Sequence, residues 1–388
     1  MAAPMVIWDQ AMLGYDLGGL HPLHPLRWQL TWALSRSLGV LDGVELFAPE
    51  PADDDTLATI HTPAYIDAVK RASADPRLPV GHGLGTLDNP AFGLMHRTAA
   101  LIAGGSVSAG LAIARGEVDR AVNIAGGLHH AMPDAASGFC VYNDASLAIA
   151  AMLNAGVGRV AYVDTDVHHG DGVQAAFYDD PRVLTVSIHE SPASLWPGTG
   201  WPDEVGSGAA AGTSVNIPVP PGTGDADWLR ALQSIMPPVL AAFRPEVLVT
   251  QHGADSHRED PLADLDLTVD GHRQSYQLLR ELAQTHANGR WLALGGGGYS
   301  LVRVVPRSWT QLLAVVLDRD VDPHTPTPAA WRAAATTARP DIAPPTSMTD
   351  GHPGTIEVQP WHPGSRHPVD LAIGAVRDAV FGVLGARL

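Results

Sequence analysis

Short runs of apolar, often β-branched residues recur along the chain, separated by longer stretches with helical spacing. "PMVIW", "RAVNIAG", "GRVAYVD", "RVLTVSIH", "EVLVTQHG" and "RWLALGGGG" are short and continuously apolar, and read as buried strands. Between them, "HPLRWQLTWALSRSLG", "FGLMHRTAALIAGGSVSAGLAIARG", "NDASLAIAAMLNAG", "ADWLRALQSIMPPVLAAF" and "VDGHRQSYQLLRELAQTHA" read as helices. Asn143 and Asp144 are expected to cap the third of these and Asp270 the last, while Pro237-Pro238 should kink or split the fourth. Strand and helix in alternation imply a parallel sheet with crossovers, whose sites lie beyond the C-terminal ends of the strands.

Polar residues gather at those ends. His129 and His130, the run from Asp164 to Asp171, His189, His252 with Asp255, and Tyr299 each follow apolar sequence, so five strands aim chemistry at one edge. From about Asp320 to Pro368 the pattern dissolves into Pro-, Ala- and Thr-rich sequence, expected to be irregular. A last helix, "LAIGAVRDAVFGVLGARL", is expected to follow, capped by Asp370.

Composition narrows the classes. The formal net charge is −17 and no Lys/Arg cluster is present, which argues against nucleic acid and for a small-molecule or protein substrate. A single cysteine, Cys140, allows no intrachain disulfide. "MAAPMVIWDQ" lacks the pattern of a signal peptide, and the longest uncharged apolar run, read near "ASLAIAAMLNAGVG", is too short to span a bilayer. The expected compartment is the cytoplasm, with no membrane partner.

The run "AYVDTDVHHGDG" carries the strongest chemical signal. In extended backbone Asp164, Asp166 and His168 share one face, and a carboxylate beside an imidazole is a metal-ligand pair. A calcium loop fails, because its fifth and sixth positions would be His168 and His169. An Asp-x-Asp phosphotransferase fits superficially but has no need of the two histidines. A functionless acidic turn is the remaining alternative. Elsewhere, "GGLHHAMPDAASGF" offers a histidine pair, with Asp164 and Asp171 available to hold the rings. "TQHGADSHREDP" offers Asp255 as a third ligand or a plain turn aspartate, and "LGGGGYS" offers Tyr299 as a phenol donor or a packing residue.

Taken in order, "HPLHPLRWQLT", "GLGTLDNPAFGLMH", "GGLHHAMPDAASGFCVYNDASLAI", "YVDTDVHHGDGVQAAFY", "VLTVSIHE…WPGTG", "QHGADSHREDPLADL" and "LGGGGYSL" resemble the zinc-dependent histone deacetylase family, and in particular its bacterial acetoin utilisation branch. The resemblance spans roughly residues 15 to 318. It implies an arginase/deacetylase-like three-layer α/β fold with a central, mostly parallel eight-stranded sheet. Residues 1–318 would form the deacetylase domain and 319–388 a Pro-rich extension packed on it. Asp166, His168 and Asp255 would hold the metal, expected to be Zn2+, with Fe2+ also compatible with the donors. His130, held by Asp171, would be the general base. His129, held by Asp164, would assist electrostatically, although the division between the two histidines stays open. Tyr299 would donate to the oxyanion.

By the same resemblance Gly138, Phe139, His168, Trp196 and Leu262 would line an acyl-lysine tunnel. Asp88 would accept from the substrate backbone at the rim, and Arg27 would stand beside an inner channel for acetate. K+ or Na+ is expected at Asp164, Asp166, His168, Ser187 and Ile188, and at a second site using Phe177, Asp180 and Val183. Asp180 departs there from the hydroxyl residue of the eukaryotic branch. The implied activity is removal of acetyl or other acyl groups from lysines of a protein or peptide, such as an acyl-CoA synthetase. An acetylpolyamine or small-amide hydrolase on the same scaffold is the nearest rival. A non-catalytic acyl-lysine binding protein should have lost a ligand or the tyrosine, and neither is missing. An arginase-like ureohydrolase needs a second set of aspartates, which is not found.

Overall fold

The computed structural model describes residues 3–352 and 354–386. Its strands are β1 (Met5–Ile7), β2 (Leu46–Phe47), β3 (Arg120–Asn123), β4 (Val160–Asp164), β5 (Val183–Glu190), β6 (Ser214–Val219), β7 (Val247–Gln251) and β8 (Trp291–Leu294). They form one sheet in the order β2-β1-β3-β8-β7-β4-β5-β6, with every neighbouring pair parallel. β4, β5, β7 and β8 are buried throughout, as expected for strands covered by helices on both faces. The arginase/deacetylase-like architecture expected from the motifs is present.

Topology assembles the site. After β3 the chain skips two strand positions to β4, builds outward through β5 and β6, then returns to fill the gap with β7 and β8. The C-terminal ends of β3, β8, β7 and β4 therefore converge at the middle of the sheet. Register places Asp164, the last residue of β4, opposite Gln251 on one side and Ser187 on the other.

Several local expectations need correcting. The helix Asp225–Phe243 runs through Pro237 and Pro238 without a break. Pro238 leaves the Ser234 carbonyl without its helical donor, and Arg377 of the terminal helix donates to that carbonyl at 3.1 Å. Helix Val269–His286 is capped by Thr268, whose hydroxyl accepts from Gly271 N–H; Asp270 sits inside the first turn and bonds residues 349–352 instead. Asp370 likewise lies inside helix Pro368–Leu384, after His367, and pairs with Arg230 at 2.8 Å. Asn143 does cap helix Asp144–Asn154, whereas Asp144 is its first residue. The Pro-rich segment contains a helix, Ala329–Ala338, anchored by buried Trp331, whose indole donates to Leu30 O at 3.0 Å. Helix Met95–Ala114, not the run near residue 150, is the one apolar helix long enough to cross a membrane among the described residues; most of it is buried within the fold.

Candidate metal-centred active site

Asp166 and His168 follow β4 directly, and Asp255 follows β7, the neighbouring strand. Their ligand atoms lie within 4.8 Å of one another, and all three residues are buried. His168 Nδ1 is 3.2 Å from Asp166 Oδ1 and 3.3 Å from Asp255 Oδ2. Donors around a tetrahedral ion with bonds of about 2.0–2.2 Å stand roughly 3.3–3.6 Å apart, so the spacing suits a small divalent cation.

The oxygens turned away from this point are held by the protein. Asp166 Oδ2 accepts from Gln251 Nε2 at 2.7 Å and Gly297 N–H at 2.8 Å, and Asp255 Oδ1 accepts from Val167 N–H at 3.1 Å. Asp255 Oδ2, although buried, has no hydrogen-bond donor in good geometry. A buried carboxylate oxygen facing an imidazole nitrogen and a second carboxylate fits a cation ligand. Titration points the same way. Burial opposes a charged His168, but the adjoining carboxylates of Asp166 and Asp255 raise its pKa to about 10. Burial and the charge of Asp166 raise Asp255 to about 6. Positive charge is stabilised where the three groups meet. Glycine is needed beside them: a Cβ on Gly297 would stand 2.0 Å from Asp255 Oδ2.

His129 and His130 leave β3 through a loop pinned by the first turn of helix Asp144–Asn154. The Asp144 carboxylate accepts from Gly127 and Leu128 N–H, and Asn143 Nδ2 donates to the carbonyls of His129 and Ala131. His129 Nδ1 lies 2.7 Å from Asp164 Oδ2, which also accepts from Tyr162 OH at 2.7 Å. His130 Nδ1 lies 2.6 Å from Asp171 Oδ1. The two rings lie with centroids 3.9 Å apart and planes tilted by 50°, yet they titrate in opposite directions. Burial would lower His129, but Asp164 and Asp166 outweigh it and raise it to about 9. Burial and the charge of His129 lower His130 to about 4. The carboxylates around His129 favour its charged form, and burial beside that charge favours the neutral form of His130.

Tyr299 follows β8. Asp260 Oδ2 accepts its N–H at 2.7 Å, while Asp260 Oδ1 accepts from Leu262 N–H at 3.1 Å. Arg27, fully buried against Trp28 and Trp309, donates to Gly296 O at 2.8 Å behind the tyrosine loop. Burial and the charge of Asp255 hold the Tyr299 phenol well above its ordinary pKa, so it remains a donor.

A pocket of about 200 Å³ opens above these groups, lined by Asp88, His130, Gly138, Phe139, His168, Leu195, Trp196, Leu262 and Tyr299. Phe139 meets Tyr299 edge-on at 5.6 Å, and Trp196 meets His130 at 4.7 Å. Phe139 has φ 69°, rare for an aromatic residue, and its carbonyl accepts from Tyr15 OH at 2.7 Å.

Two of the sequence candidates do not reach the pocket wall. His189 is fixed on Ser187 and Gly200, and His252 on Thr250. Of the cation candidates, Ser187 and Ile188 are buried beside β4. The Asp180 carboxylate is engaged by Arg182, and the Phe177 and Asp180 carbonyls accept turn hydrogen bonds from Asp180 and Val183 N–H. Gln251, Asp260, Tyr162 and Leu195 went unread in the sequence, and Asp144 was read only as a helix cap.

An all-parallel eight-stranded sheet bearing a buried Asp-His-Asp group, two carboxylate-held histidines and a tyrosine defines a class. The chain belongs to the histone deacetylase family: the histone deacetylase domain matches residues 21–316. Within that family it is similar to the acetoin utilization protein AcuC of Bacillus subtilis (strain 168), with 40% identity over 335 residues, 85% of this chain and 86% of that protein. AcuC of Staphylococcus aureus (strain MSSA476) is 36% identical over 318 residues, 81% of this chain and 82% of that protein. Among solved structures, an HDAC homologue complexed with SAHA superposes with a TM-score of 0.85 at 28% identity, covering 97% of this chain and 99% of that one. An HDAC homologue from Aquifex aeolicus gives 0.84 at 28% identity, covering 96% and 100%. The family and the acetoin utilisation branch read from the motifs both stand.

Proposed function

We propose that this protein is a zinc-dependent lysine deacetylase that hydrolyses acyl-lysine in a protein or peptide and releases acetate. The observation that carries the reading is the convergence of Asp166, His168 and Asp255 at the floor of a slim pocket whose walls hold His130 and Tyr299. Two carboxylates and an imidazole suit zinc, and bound there it supplies Lewis acidity toward the acyl carbonyl and acidifies water.

The chain's own groups divide the remaining work. Neutral His130, oriented by Asp171, takes the proton of the attacking water at Nε2 and passes it to the departing lysine amine. Cationic His129, fixed by Asp164, stabilises negative charge growing nearby. The Tyr299 phenol donates to the carbonyl oxygen as it becomes an oxyanion. Gly138, Phe139, Trp196 and Leu262 flank the lysine methylenes and exclude water. A Cβ at Gly138 would stand 2.4 Å from the His130 ring, so glycine keeps this passage open. Asp88 accepts from the substrate backbone at the mouth, and Arg27 borders the acetate exit.

The remaining expectations join this reading: residues 1–318 as catalytic unit with 319–388 as extension, monovalent ions beside Asp164 and near Phe177, a cytoplasmic setting, and an acyl-CoA synthetase as first client to test. The experiment is metal analysis of the purified chain with turnover of acetyl-lysine peptides against acetylspermidine. Peptide hydrolysis that needs zinc, is lost with chelator and returns on adding zinc supports the reading. Faster hydrolysis of acetylspermidine overturns the substrate class, and a fully metallated chain inert to every acylated amine overturns the activity.

A further inference from the structure

A second buried polar cluster joins the C-terminal extension to the loop that carries Asp255. His257, two residues beyond Asp255, is fully buried. Its Nδ1 accepts from the Glu259 backbone N–H at 3.0 Å, so its ring proton resides on Nε2. Nε2 lies 2.8 Å from Asp350 Oδ2. Asp350 also accepts from Val269 N–H at 3.0 Å and pairs through Oδ1 with the buried Arg307 at 2.8 Å. Asp270 in turn fixes Asp350: its Oδ2 accepts from Thr349 Oγ1 at 2.8 Å, Asp350 N–H at 2.9 Å and His352 N–H at 3.2 Å. Asp350 lies beyond residues 21–316, the stretch matched by the family domain.

We propose that Asp350 is a positioning residue for the metal ligand Asp255, acting through His257. This rests on Asp255 being a ligand, as the functional reading holds. Without the Asp350 carboxylate, the buried His257 Nε2–H would lose its acceptor and the buried Arg307 its counter-charge, while keeping the carbonyls of Arg303, Ser347 and Thr349, a costly state. His257 has no escape by changing tautomer, because Nδ1 already faces the Glu259 N–H. Relief requires movement of the ring and its backbone, and only Ser256 separates that backbone from Asp255. Ser256 is tied to His272 Nε2 at 2.9 Å, which limits the shift without supplying the missing acceptor.

The test compares two carboxylates of the same extension. Asp350→Ala, Asp350→Asn and Asp350→Glu are measured beside Asp370→Asn, which breaks the pair with Arg230 on helix Asp225–Phe243. The readouts are zinc affinity by competition with a chromophoric chelator and thermal unfolding of the full chain. Zinc binding about tenfold weaker or more is expected for Asp350→Ala and Asp350→Asn, on the scale of losing a group that orients a ligand. Asp350→Glu should recover part of it, and Asp370→Asn should keep the parent's affinity even where its unfolding temperature drops. Should Asp350→Ala not fold, Asp350→Asn decides, since it keeps the shape but sets an amide donor against donors. Parental affinity in Asp350→Asn overturns the proposal, as does an equal loss in Asp370→Asn. A parent chain that binds zinc and turns over while Asp350→Asn is unchanged overturns this inference alone. A parent that binds no divalent ion overturns the functional reading as well.

Discussion

The floor of the pocket and its rim are built on opposite terms. At the floor, Asp164, Asp166 and Asp255 are buried, and their oxygens are tied to Tyr162, Gln251, Gly297 and Val167. At the rim, Leu20 and Leu87 stand almost wholly in solvent, and Trp196 is half exposed. The loops that carry Leu20 and Leu87 meet through a hydrogen bond from His21 Nε2 to the Asp88 carbonyl at 3.2 Å. A floor with so many fixed partners tolerates one geometry, which is what a reaction centre requires. A rim with apolar side chains in water is free to vary with whatever flanks the group held in the pocket.

The contrast is broken most severely at the ligands. Asp166→Ala should lose both bound metal and turnover, to background, as seen by metal analysis with peptide hydrolysis; retained metal would remove Asp166 from the site. Next, Tyr299→Phe should keep its metal while kcat falls by about 10²–10³-fold, the scale for one oxyanion donor. Unchanged kcat in that variant contradicts the phenol's role.

The buried polar interior should also set the acid limit. Burial holds His61 at about 4 and both His252 and His272 at about 3, below the value of 6.5 in an unfolded chain. Between pH 6.5 and those values the unfolded chain binds more protons than the folded one. Their contribution is therefore complete above pH 6.5 and shrinks as the pH drops, by about 1.4 kcal/mol per pH unit for each histidine. Denaturant unfolding followed from pH 7 to about 4.5 measures that slope net of the opposite one from Asp255 and Asp260, whose carboxyls burial raises to about 6 and about 8, and stability that rises as the pH falls would contradict the expectation. The smallest effect belongs to the rim. Leu87→Ser should leave metal and kcat alone and raise KM less than about tenfold, with a size that depends on the peptide sequence, as exposed contacts usually do.

The sequence made the floor visible because its residues are local. Asp166 and His168 share one face of an extended run, and the histidine pair is contiguous. Six strands stood out as β-branched runs. β2 is two residues long, too short for any pattern, and β6 carries Asn216 and Pro218, which break one. Asp255 was legible only as a third ligand or a plain turn aspartate until the resemblance chose between them, since it is pairing of β4 with β7 that brings it to Asp166. Asp260, Gln251 and Asp350 were hidden for a further reason. Their partners include backbone N–H groups or residues far along the chain, and neither leaves a trace in local spacing. The continuous helix through Pro237 and Pro238 was illegible likewise, because its compensating donor, Arg377, lies 143 positions beyond Ser234.

The late insertion of β7 and β8 between β3 and β4 has a consequence for synthesis. A chain synthesised as far as β6 already carries His129, His130, Asp166 and His168, but lacks the two strands that stand between β3 and β4. Asp255 and the tyrosine arrive only with those strands. The site therefore stays incomplete until both strands have been made, after every other strand of the sheet.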